Sequence, residues 1–245
     1  MSNLAVDVGN THVKLGLFEE NTLLESKSIN SLNVSELSVF LQGKPQPQHA
    51  IISSVRKPDE SLLSLVREVA MDAVELTHLT RIPIISLYKT PATLGKDRLA
   101  GVVGANFLYP NANLLVVDAG TAITYDIITA QGEFVGGNIS LGLRTRYTGL
   151  HQLTGSLPLC EPAVDFEPLG RTTSEAVIAG VQNGFIYEIQ ANIDQFSLKY
   201  SNLCVILTGG EASFLANRLK TAIFVVYDLV LIGLNRILIH HASLE

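Results

Sequence analysis

Leu4-Ala5-Val6-Asp7-Val8-Gly9-Asn10-Thr11-His12-Val13-Lys14 is an apolar run that ends in an aspartate, followed by a Gly-Asn-Thr turn. The alternating residues 13–18 predict a second strand after the turn. Glycine lets backbone amides approach a phosphate closely, and a carboxylate at a strand end can hold a metal ion. Asp and Asn are also ordinary turn formers, so this stretch alone leaves a simple hairpin and a phosphate-binding hairpin both open.

The same pattern returns at Leu114-Leu115-Val116-Val117-Asp118-Ala119-Gly120-Thr121-Ala122-Ile123-Thr124. Asp118, Gly120 and Thr121 take the places of the aspartate, glycine and asparagine of the first stretch, and apolar strands flank both. The chain is therefore expected to consist of two related halves. Two such hairpins facing each other across a cleft would present two carboxylates and two sets of turn amides to one ligand.

The composition limits the possible partners. The 245 residues suffice for one large domain or two lobes, with 47% hydrophobic and 16% charged residues, so part of the surface is expected to be covered by a partner subunit. The net charge of −6 and the absence of a Lys/Arg cluster argue against a nucleic-acid or acidic-membrane surface.

Sequence features favour a cytoplasmic protein. No charged segment followed by an apolar one predicts a signal peptide, and the apolar run 229–239 is too short to span a membrane. Cys160 and Cys204 are far apart and lack metal-site spacing, so we expect two mostly buried free thiols in a reducing compartment.

Local patterns predict the order of elements in the first half. A third strand at 22–29, a helix at 33–41 capped by Asn33, a strand at 50–54 and a helix at 59–71 follow the first hairpin. This order is the one expected of a lobe of the actin-like, sugar-kinase-like ATPase fold. In the second half the patterns predict a strand at 133–139, helices at 143–153, 174–197 and 229–240, and a strand at 203–207.

The segment Tyr88-Lys89-Thr90-Pro91-Ala92-Thr93-Leu94-Gly95-Lys96-Asp97-Arg98 runs into an apolar helix predicted at 99–108. Asp97 and Arg98 would lie in its first turn, where a carboxylate is stabilised by the helix dipole. They could be a helix-start pair with a glycine hinge. Alternatively, Asp97 accepts a proton from an attacking hydroxyl while Arg98 holds a substrate anion.

The two hairpins and the 88–98 segment together resemble type III pantothenate kinases. Further motifs follow in the same order: Gly136-Gly137-Asn138-Ile139, Gly170-Arg171-Thr172-Thr173-Ser174-Glu175-Ala176, Leu207-Thr208-Gly209-Gly210-Glu211-Ala212 and Asp228-Leu229-Val230-Leu231-Ile232-Gly233-Leu234. The resemblance covers essentially the whole chain. Two stretches depart from the family pattern, Ser140-Leu141-Gly142 and Thr154-Gly155-Ser156, and they put local loop geometry and the dimer contact in doubt.

The resemblance implies two ribonuclease-H-like lobes, 1–112 and 113–245, of the α/β superfamily that includes acetate and sugar kinases, heat-shock chaperone ATPases and actin. It implies ATP-dependent phosphorylation of pantothenate to 4'-phosphopantothenate, the first step toward coenzyme A. The enzyme would be a cytoplasmic homodimer that uses Mg²⁺ or another divalent cation and a monovalent cation, K⁺ or NH₄⁺.

The resemblance also implies a role for each motif residue. Asp97 would be the catalytic proton acceptor and Asp118 the ligand of the monovalent cation. ATP would be bound by Asp7, Val8, Gly9, Asn10, Thr11, His12, Val13, Lys14 and Thr121. Pantothenate would be bound by Tyr88, Gly95, Lys96, Asp97, Arg98 and Thr173.

Two other functions remain open at this stage. Proteins resembling this family have been labelled transcriptional accessory factors, which would require a DNA- or protein-binding face. The acidic composition and the intact Asp7, Asp97 and Asp118 argue against this hypothesis. A superfamily kinase for another small hydroxyl compound is the other alternative, and the Gly95–Arg98 segment argues against it.

Overall fold

A computed structural model describes residues 2–56 and 60–243 of the chain. The chain divides into two compact units. Unit 1 comprises Met1–Asn111, Ile128–Val135 and Asp228–Glu245, and unit 2 comprises Ala112–Ile127 and Gly136–Tyr227. The first boundary, at 111/112, lies one residue from the division expected from the sequence at 112/113, and 128–135 and the C-terminal segment group with unit 1.

Unit 1 is built on a five-stranded sheet in the order β3-β2-β1-β4-β5. β1 pairs antiparallel with β2, and β2 with β3, whereas β1, β4 and β5 run parallel. The elements of the sheet and its first helices are β1 Ser2–Val8, β2 Val13–Glu19, β3 Thr22–Ile29, α1 Val34–Leu41, β4 His49–Ser54, α2 Glu60–Arg67 and β5 Asp72–Glu75. They are followed by β6 Ile85–Ser86, a 3-10 turn Pro91–Thr93, α3 Lys96–Leu108 and, from the chain's end, α7 Leu229–Ala242.

The second sheet has six strands, five of which repeat this order as β9-β8-β7-β10-β11, with β6 beside β9 at the edge. β10 runs parallel to both β7 and β11. The remaining elements are β7 Leu114–Ala119, β8 Ala122–Ile128, β9 Glu133–Leu141, α4 Leu143–Leu153, α5 Thr173–Lys199, β10 Cys204–Thr208, α6 Ala212–Ala216 and β11 Ile223–Val225. All of them belong to unit 2 except the last residue of β8 and the first three of β9. The shared order 3-2-1-4-5 confirms the predicted internal repeat of ribonuclease-H-like sheets.

Strand β1 is buried on both faces, and its side chains point alternately into two cores. Leu4, Val6 and Val8 face the core that contains the apolar sides of α1 and α2. Ala5 faces the opposite core, which contains residues of α3 and α7. Asp7 lies two residues after Ala5 and therefore on the α3–α7 face of the sheet.

Close packing of α7 against α3 explains why the C-terminal segment belongs to unit 1. Gly233 of α7 and Gly104 of α3 face each other, and a Cβ atom built on Gly104 would lie 3.0 Å from the Gly233 nitrogen. Asn235 of α7 also accepts a hydrogen bond from Asn3 of β1 at 2.9 Å. α7 and α3 therefore pack backbone to backbone across one face of the first sheet.

Local capping signals place several helix starts as predicted. The Asn33 side chain accepts a hydrogen bond from the Glu36 amide at the start of α1. Thr172 and Glu175 form a reciprocal capping box at the start of α5. Residue 59 of the predicted helix at 59–71 lies outside the described residues. α2 covers Glu60–Arg67, and residues 68–71 form a turn, so the helix ends four residues before its predicted end.

Both cysteines are free thiols, as expected. Cys160 is buried and Cys204 is half-buried, and burial raises the pKa of the Cys204 thiol. Across the described residues, the helices are all too short or too polar to be candidates for a membrane-spanning segment.

Gly233→Ala tests the contact between α3 and α7. The added Cβ would lie 2.6 Å from the Ala100 carbonyl carbon, so the two helices must separate. We expect the free energy of unfolding, measured by urea titration, to fall by about 1–3 kcal/mol.

The matched control is Gly149→Ala, a helical glycine of α4 whose Cβ would meet open space. Alanine is favoured over glycine in helices by about 1 kcal/mol, so this variant should keep or gain stability. Equal losses of stability in the two variants would contradict the packing argument.

Candidate active site

Three polar side chains form a row across the end of the sheet in unit 1. Asp7 of β1 pairs in register with Lys14 of β2 on one side and with Ser53 of β4 on the other. Residues paired in register share a face, so the three side chains point to the side covered by α3 and α7. Asp7 is 9% exposed and Ser53 is fully buried. An aspartate, a lysine and a serine therefore occupy neighbouring positions on one face of the sheet.

The turn after Asp7 is closed by its own backbone and held from outside by an arginine. The Gly9 amide donates to the His12 carbonyl at 3.0 Å. Arg56, just after β4, donates from Nε to the Gly9 carbonyl at 2.8 Å and from Nη2 to the Asn10 carbonyl at 3.4 Å. The guanidinium thus fixes the carbonyl side of the turn, while Asn10, Thr11 and His12 remain exposed.

The structure brings Tyr88 and Arg98 together, as a shared role requires. Arg98 is buried, and its Cζ atom lies 5.6 Å from the centroid of the Tyr88 ring. Its Nη1 donates to the Tyr88 hydroxyl at 3.5 Å. The Tyr88 ring also stacks on Phe134 at 5.9 Å between centroids, so it is held between an aromatic ring and a cation.

Asp97 lies in the first turn of α3, next to Arg98, as predicted. Its Oδ1 accepts a hydrogen bond from the Arg98 amide at 2.8 Å. A Cβ atom at Gly95 would lie 2.6 Å from that oxygen, so glycine leaves room for the carboxylate in this orientation. Lys96 donates to Glu75 of β5 at 2.8 Å, which ties the start of α3 to the sheet edge.

In unit 2 the second aspartate has a different set of neighbours. Asp118 pairs in register with Thr208 of β10, a neutral hydroxyl. Gly209, which follows, has φ +91°, and a Cβ atom there would lie 2.5 Å from Asp118 Oδ1. Glycine is required at this position both by the backbone conformation and by the approach of the carboxylate.

The turn after Asp118 is fixed by the start of α4. The Thr121 carbonyl accepts from the Gly142 amide at 3.1 Å and from the Thr145 hydroxyl at 2.6 Å. The Ala119 carbonyl accepts from the Glu211 amide at 3.1 Å. The Ala119 and Thr121 carbonyls therefore accept hydrogen bonds, as the turn carbonyls of unit 1 do from Arg56. The Thr121 side chain is exposed.

Arg146 anchors α4 to α5 and to the end of β9. Its Nε donates to the Leu141 carbonyl at 2.8 Å, and its Nη2 forms an ion pair with Glu188 at 2.5 Å. Tyr125 donates to the other oxygen of Glu188 at 3.0 Å. Burial, followed by the Glu188 charge, raises the pKa of the Tyr125 hydroxyl above its ordinary value, so it stays a donor at neutral pH.

Thr173, the last predicted substrate residue, is the first residue of α5 and is exposed. It belongs to unit 2, whereas Tyr88 and Gly95–Arg98 belong to unit 1. The structure thus brings Tyr88, Asp97 and Arg98 together within one unit and places Thr173, Asp118 and Thr121 in the other.

Oxygen atoms at both aspartates fit hard cations. Asp7 offers a carboxylate beside the Ser53 hydroxyl, and Mg²⁺ typically binds one or two carboxylates together with substrate phosphates and water. Asp118 offers a carboxylate beside the Thr208 hydroxyl. Among residues 2–56 and 60–243, no group of three or more His, Cys, Asp or Glu side chains has the arrangement of a metal site.

Arg56, Ser53 and Thr145 were not predicted as residues of the site. Ser53 is the next-to-last residue of β4 and Arg56 lies two residues after the strand, and only the parallel register of β4 with β1 brings them to the first hairpin. A polar run at the end of an apolar strand is the one local signal that marks them.

Solved structures share the fold. A Campylobacter jejuni protein described as a Baf family transcriptional activator is 22% identical, covers 98% of this chain and 99% of that one, and superposes with a TM-score of 0.63. A ROK family glucokinase from Streptomyces griseus, solved with glucose and AMPPNP, is 12% identical over 99% of this chain and 100% of that one, with a TM-score of 0.55. The chain therefore has the fold of the actin-like ATPase and sugar-kinase superfamily.

Sequence comparison narrows the class to a family. The sequence profile of type III pantothenate kinases matches residues 3–195. A Porphyromonas gingivalis protein named type III pantothenate kinase is 44% identical over 239 residues, which cover 96% of this chain and 97% of that protein. The chain belongs to the type III pantothenate kinase family.

Arg56→Ala tests whether the guanidinium stiffens the first turn. Losing its bonds to the Gly9 and Asn10 carbonyls should weaken ATP binding by about 1 kcal/mol, or roughly fivefold in the KM for ATP. Arg56→Lys, which cannot donate in two directions from a planar group, should recover only part of the loss. Initial rates at varied ATP measure the effect, and an unchanged KM in Arg56→Ala would contradict it.

Proposed function

We propose that the protein transfers the γ-phosphate of ATP to the primary hydroxyl of pantothenate and forms 4'-phosphopantothenate, the first step of coenzyme A biosynthesis. One observation supports this function above the others: Asp97 stands at the start of α3 next to the Arg98–Tyr88 pair in a chain of the pantothenate kinase family. The guanidinium of Arg98 suits an anionic substrate such as pantothenate, whereas a neutral sugar offers it no charged group to bind.

In this proposal residues 7–14 bind the ATP phosphates. The exposed turn of Asn10, Thr11 and His12 presents backbone amides, and Arg56 holds the opposite, carbonyl side of the turn. The Lys14 ammonium adds positive charge next to Asp7. Thr121, on the equivalent turn of unit 2, provides a further contact to ATP. Fixed amides and cations suit phosphoryl transfer, in which the protein mostly positions groups and neutralises charge.

Asp97 accepts the proton of the attacking hydroxyl. Only its Oδ1 accepts a hydrogen bond from the residues that the structure describes, so Oδ2 is available to the pantothenate hydroxyl. The Arg98 amide orients the carboxylate through Oδ1, which is what a general base requires. The hydroxyl oxygen attacks the γ-phosphorus as the O–H proton passes to Asp97, and the bond to ADP breaks.

The anionic end of pantothenate is bound by Arg98 with help from neutral donors. The Arg98 guanidinium carries a permanent charge, and the Tyr88 hydroxyl lies beside it. We assign Gly95, Lys96 and Thr173 to the same substrate, with Lys96 also fixing α3 through Glu75. Loss of either the arginine or the tyrosine would remove recognition of the carboxylate and leave the ATP-binding turn intact.

Two cations complete the proposed site. Asp7 holds Mg²⁺ or another divalent ion, and Asp118 holds K⁺ or NH₄⁺. When bound, these ions offset the negative charge of the phosphates during transfer. The register neighbours of the two aspartates differ, with Lys14 beside Asp7 and Thr208 beside Asp118. The monovalent ion at Asp118 is assigned from the resemblance to the family.

We also propose a cytoplasmic homodimer. Unit 2 exposes several large apolar side chains on and near α4 and α5, and exposed apolar side chains suit contact with a partner subunit. The side chains are Leu153 at 87%, Leu169 at 79%, Tyr187 at 65% and Leu198 at 83% exposure. A second copy of the chain would cover them, and free thiols suit a reducing compartment.

ADP release tests the function. Purified protein is given ATP, Mg²⁺ and pantothenate, and each component, including K⁺, is omitted in turn. The proposal predicts turnover that requires pantothenate and rises with K⁺. Turnover independent of pantothenate would indicate another hydroxyl substrate. No turnover at all would favour the regulatory alternative.

Asp97→Asn should abolish transfer while leaving nucleotide binding intact. The amide oxygen can still accept the Arg98 hydrogen bond, but the side chain can no longer take a proton. We expect kcat to fall by about 10²- to 10⁴-fold, with ATP affinity measured by calorimetry unchanged. An active Asp97→Asn enzyme would refute the assignment of the base.

Asp118→Ala should remove the response of the rate to potassium, because the carboxylate ligand is lost. Initial rates are measured across a K⁺ series in the variant and the wild type. Asp228→Ala, an aspartate at the start of α7, is a control that should keep the response. A full potassium response in Asp118→Ala would show that the cation binds elsewhere.

The dimer is tested by light scattering at micromolar concentration. The proposal predicts twice the mass of the 26.5 kDa chain, and Leu198→Glu should shift the mass toward the monomer because it places a charge on the covered surface. A monomeric mass for the wild type would contradict the proposal.

A further inference from the structure

Ser53 is a fully buried hydroxyl beside the proposed divalent site. Its residue exposure is 0%, and its Oγ has no hydrogen-bond partner among the residues that the structure describes. Buried polar atoms are nearly always hydrogen-bonded, and leaving one unsatisfied destabilises the fold. Alanine would fit the same space without leaving a buried hydroxyl unsatisfied. A serine at this position therefore suggests that the hydroxyl has a function.

The position of Ser53 relates it to Asp7. Ala5 pairs with Ile51, and both belong to the core under α3. Two residues further along, Asp7 pairs with Ser53 on the same face. The hydroxyl therefore lies next to the carboxylate at the point where the apolar core ends.

Two comparisons within the chain set Ser53 apart. The neighbouring Ser54 lies on the other face, and its Oγ accepts a hydrogen bond from the Arg56 amide at 3.2 Å. In unit 2, Thr208 occupies the position equivalent to Ser53, in register with Asp118. Its hydroxyl donates to the Tyr227 carbonyl at 3.5 Å. A hydroxyl beside the aspartate is thus repeated in both units, whereas the carbonyl partner is described only for Thr208.

We propose that Ser53 is a positioning residue for the divalent cation, and that its hydroxyl hydrogen-bonds a water ligand of the ion held by Asp7. Mg²⁺ keeps several of its water ligands in proteins, and these waters need hydrogen-bond partners from the site. The inference rests on the proposed function, which places the cation at Asp7. Ser53 would help to position the hydrated ion without touching the substrate.

Ser53→Ala separates this role from a packing role. The first measurement is the thermal unfolding temperature without ligands, which should equal or exceed that of the wild type because an unsatisfied buried hydroxyl is removed. The second is the affinity for Mn²⁺ in the presence of AMPPNP, followed by the electron paramagnetic resonance of free Mn²⁺. It should weaken by about tenfold, the lower end of the range for groups that support metal ligands.

Ser86→Ala is the matched control. Ser86 of β6 also has a buried Oγ without a hydrogen-bond partner among the described residues, but it is not paired with Asp7. Its substitution should leave the Mn²⁺ affinity at the wild-type value. Equal loss of Mn²⁺ affinity in both variants would overturn the specific role of Ser53.

The outcomes distinguish this inference from the function on which it rests. Wild-type protein that does not bind Mn²⁺ with AMPPNP would overturn the cation assignment itself. If the wild type binds Mn²⁺ but Ser53→Ala binds it equally well, only the role of Ser53 fails. A lower unfolding temperature for Ser53→Ala without ligands would identify Ser53 as a packing residue and also overturn the inference.

Discussion

The pairing of a buried central strand with a parallel neighbour is the constraint on which the structure depends. β1 is buried on both faces, and its last residues include a carboxylate that must avoid an apolar environment. Parallel pairing with β4 sets a hydroxyl beside that carboxylate, and antiparallel pairing with β2 sets an ammonium group on the other side. The same strand order in unit 2 places Asp118 next to Thr208. In each unit, polar side chains thus lie together at the end of an apolar strand.

The two halves keep the hairpin but stabilise it differently. In unit 1 an arginine side chain holds the turn carbonyls, whereas in unit 2 the start of α4 does so through Gly142 and Thr145. Unit 1 adds Lys14 next to its aspartate, and unit 2 adds the close approach of Gly209. In our proposal one carboxylate serves a divalent ion with ATP and the other a monovalent ion.

Much of the fold followed from local patterns. The two Asp-Gly hairpins, the Asn33 cap and the helix that begins beside Asp97 are encoded within a few residues, and the structure has them as predicted. The short strands β5, β6 and β11 were not predicted, because four residues or fewer carry too little periodicity. The return of α7 to unit 1 was missed because it depends on the distant contact of Gly233 with α3.

The candidate site could be predicted only where its residues lie close together in sequence. Tyr88, Asp97 and Arg98 fall within one segment, so the motif marked them and the structure brings them together. Arg56 and Ser53 reach the first hairpin through strand register across more than 40 residues of chain, and no local pattern encodes that register.

In our proposal the two repeated carboxylates have different tasks. The affinity for Mn²⁺ with AMPPNP, compared between Asp7→Asn and Asp118→Asn, tests this difference. We predict that Asp7→Asn loses Mn²⁺ binding while Asp118→Asn retains the wild-type affinity. Equal losses in the two variants, or a loss confined to Asp118→Asn, would contradict it.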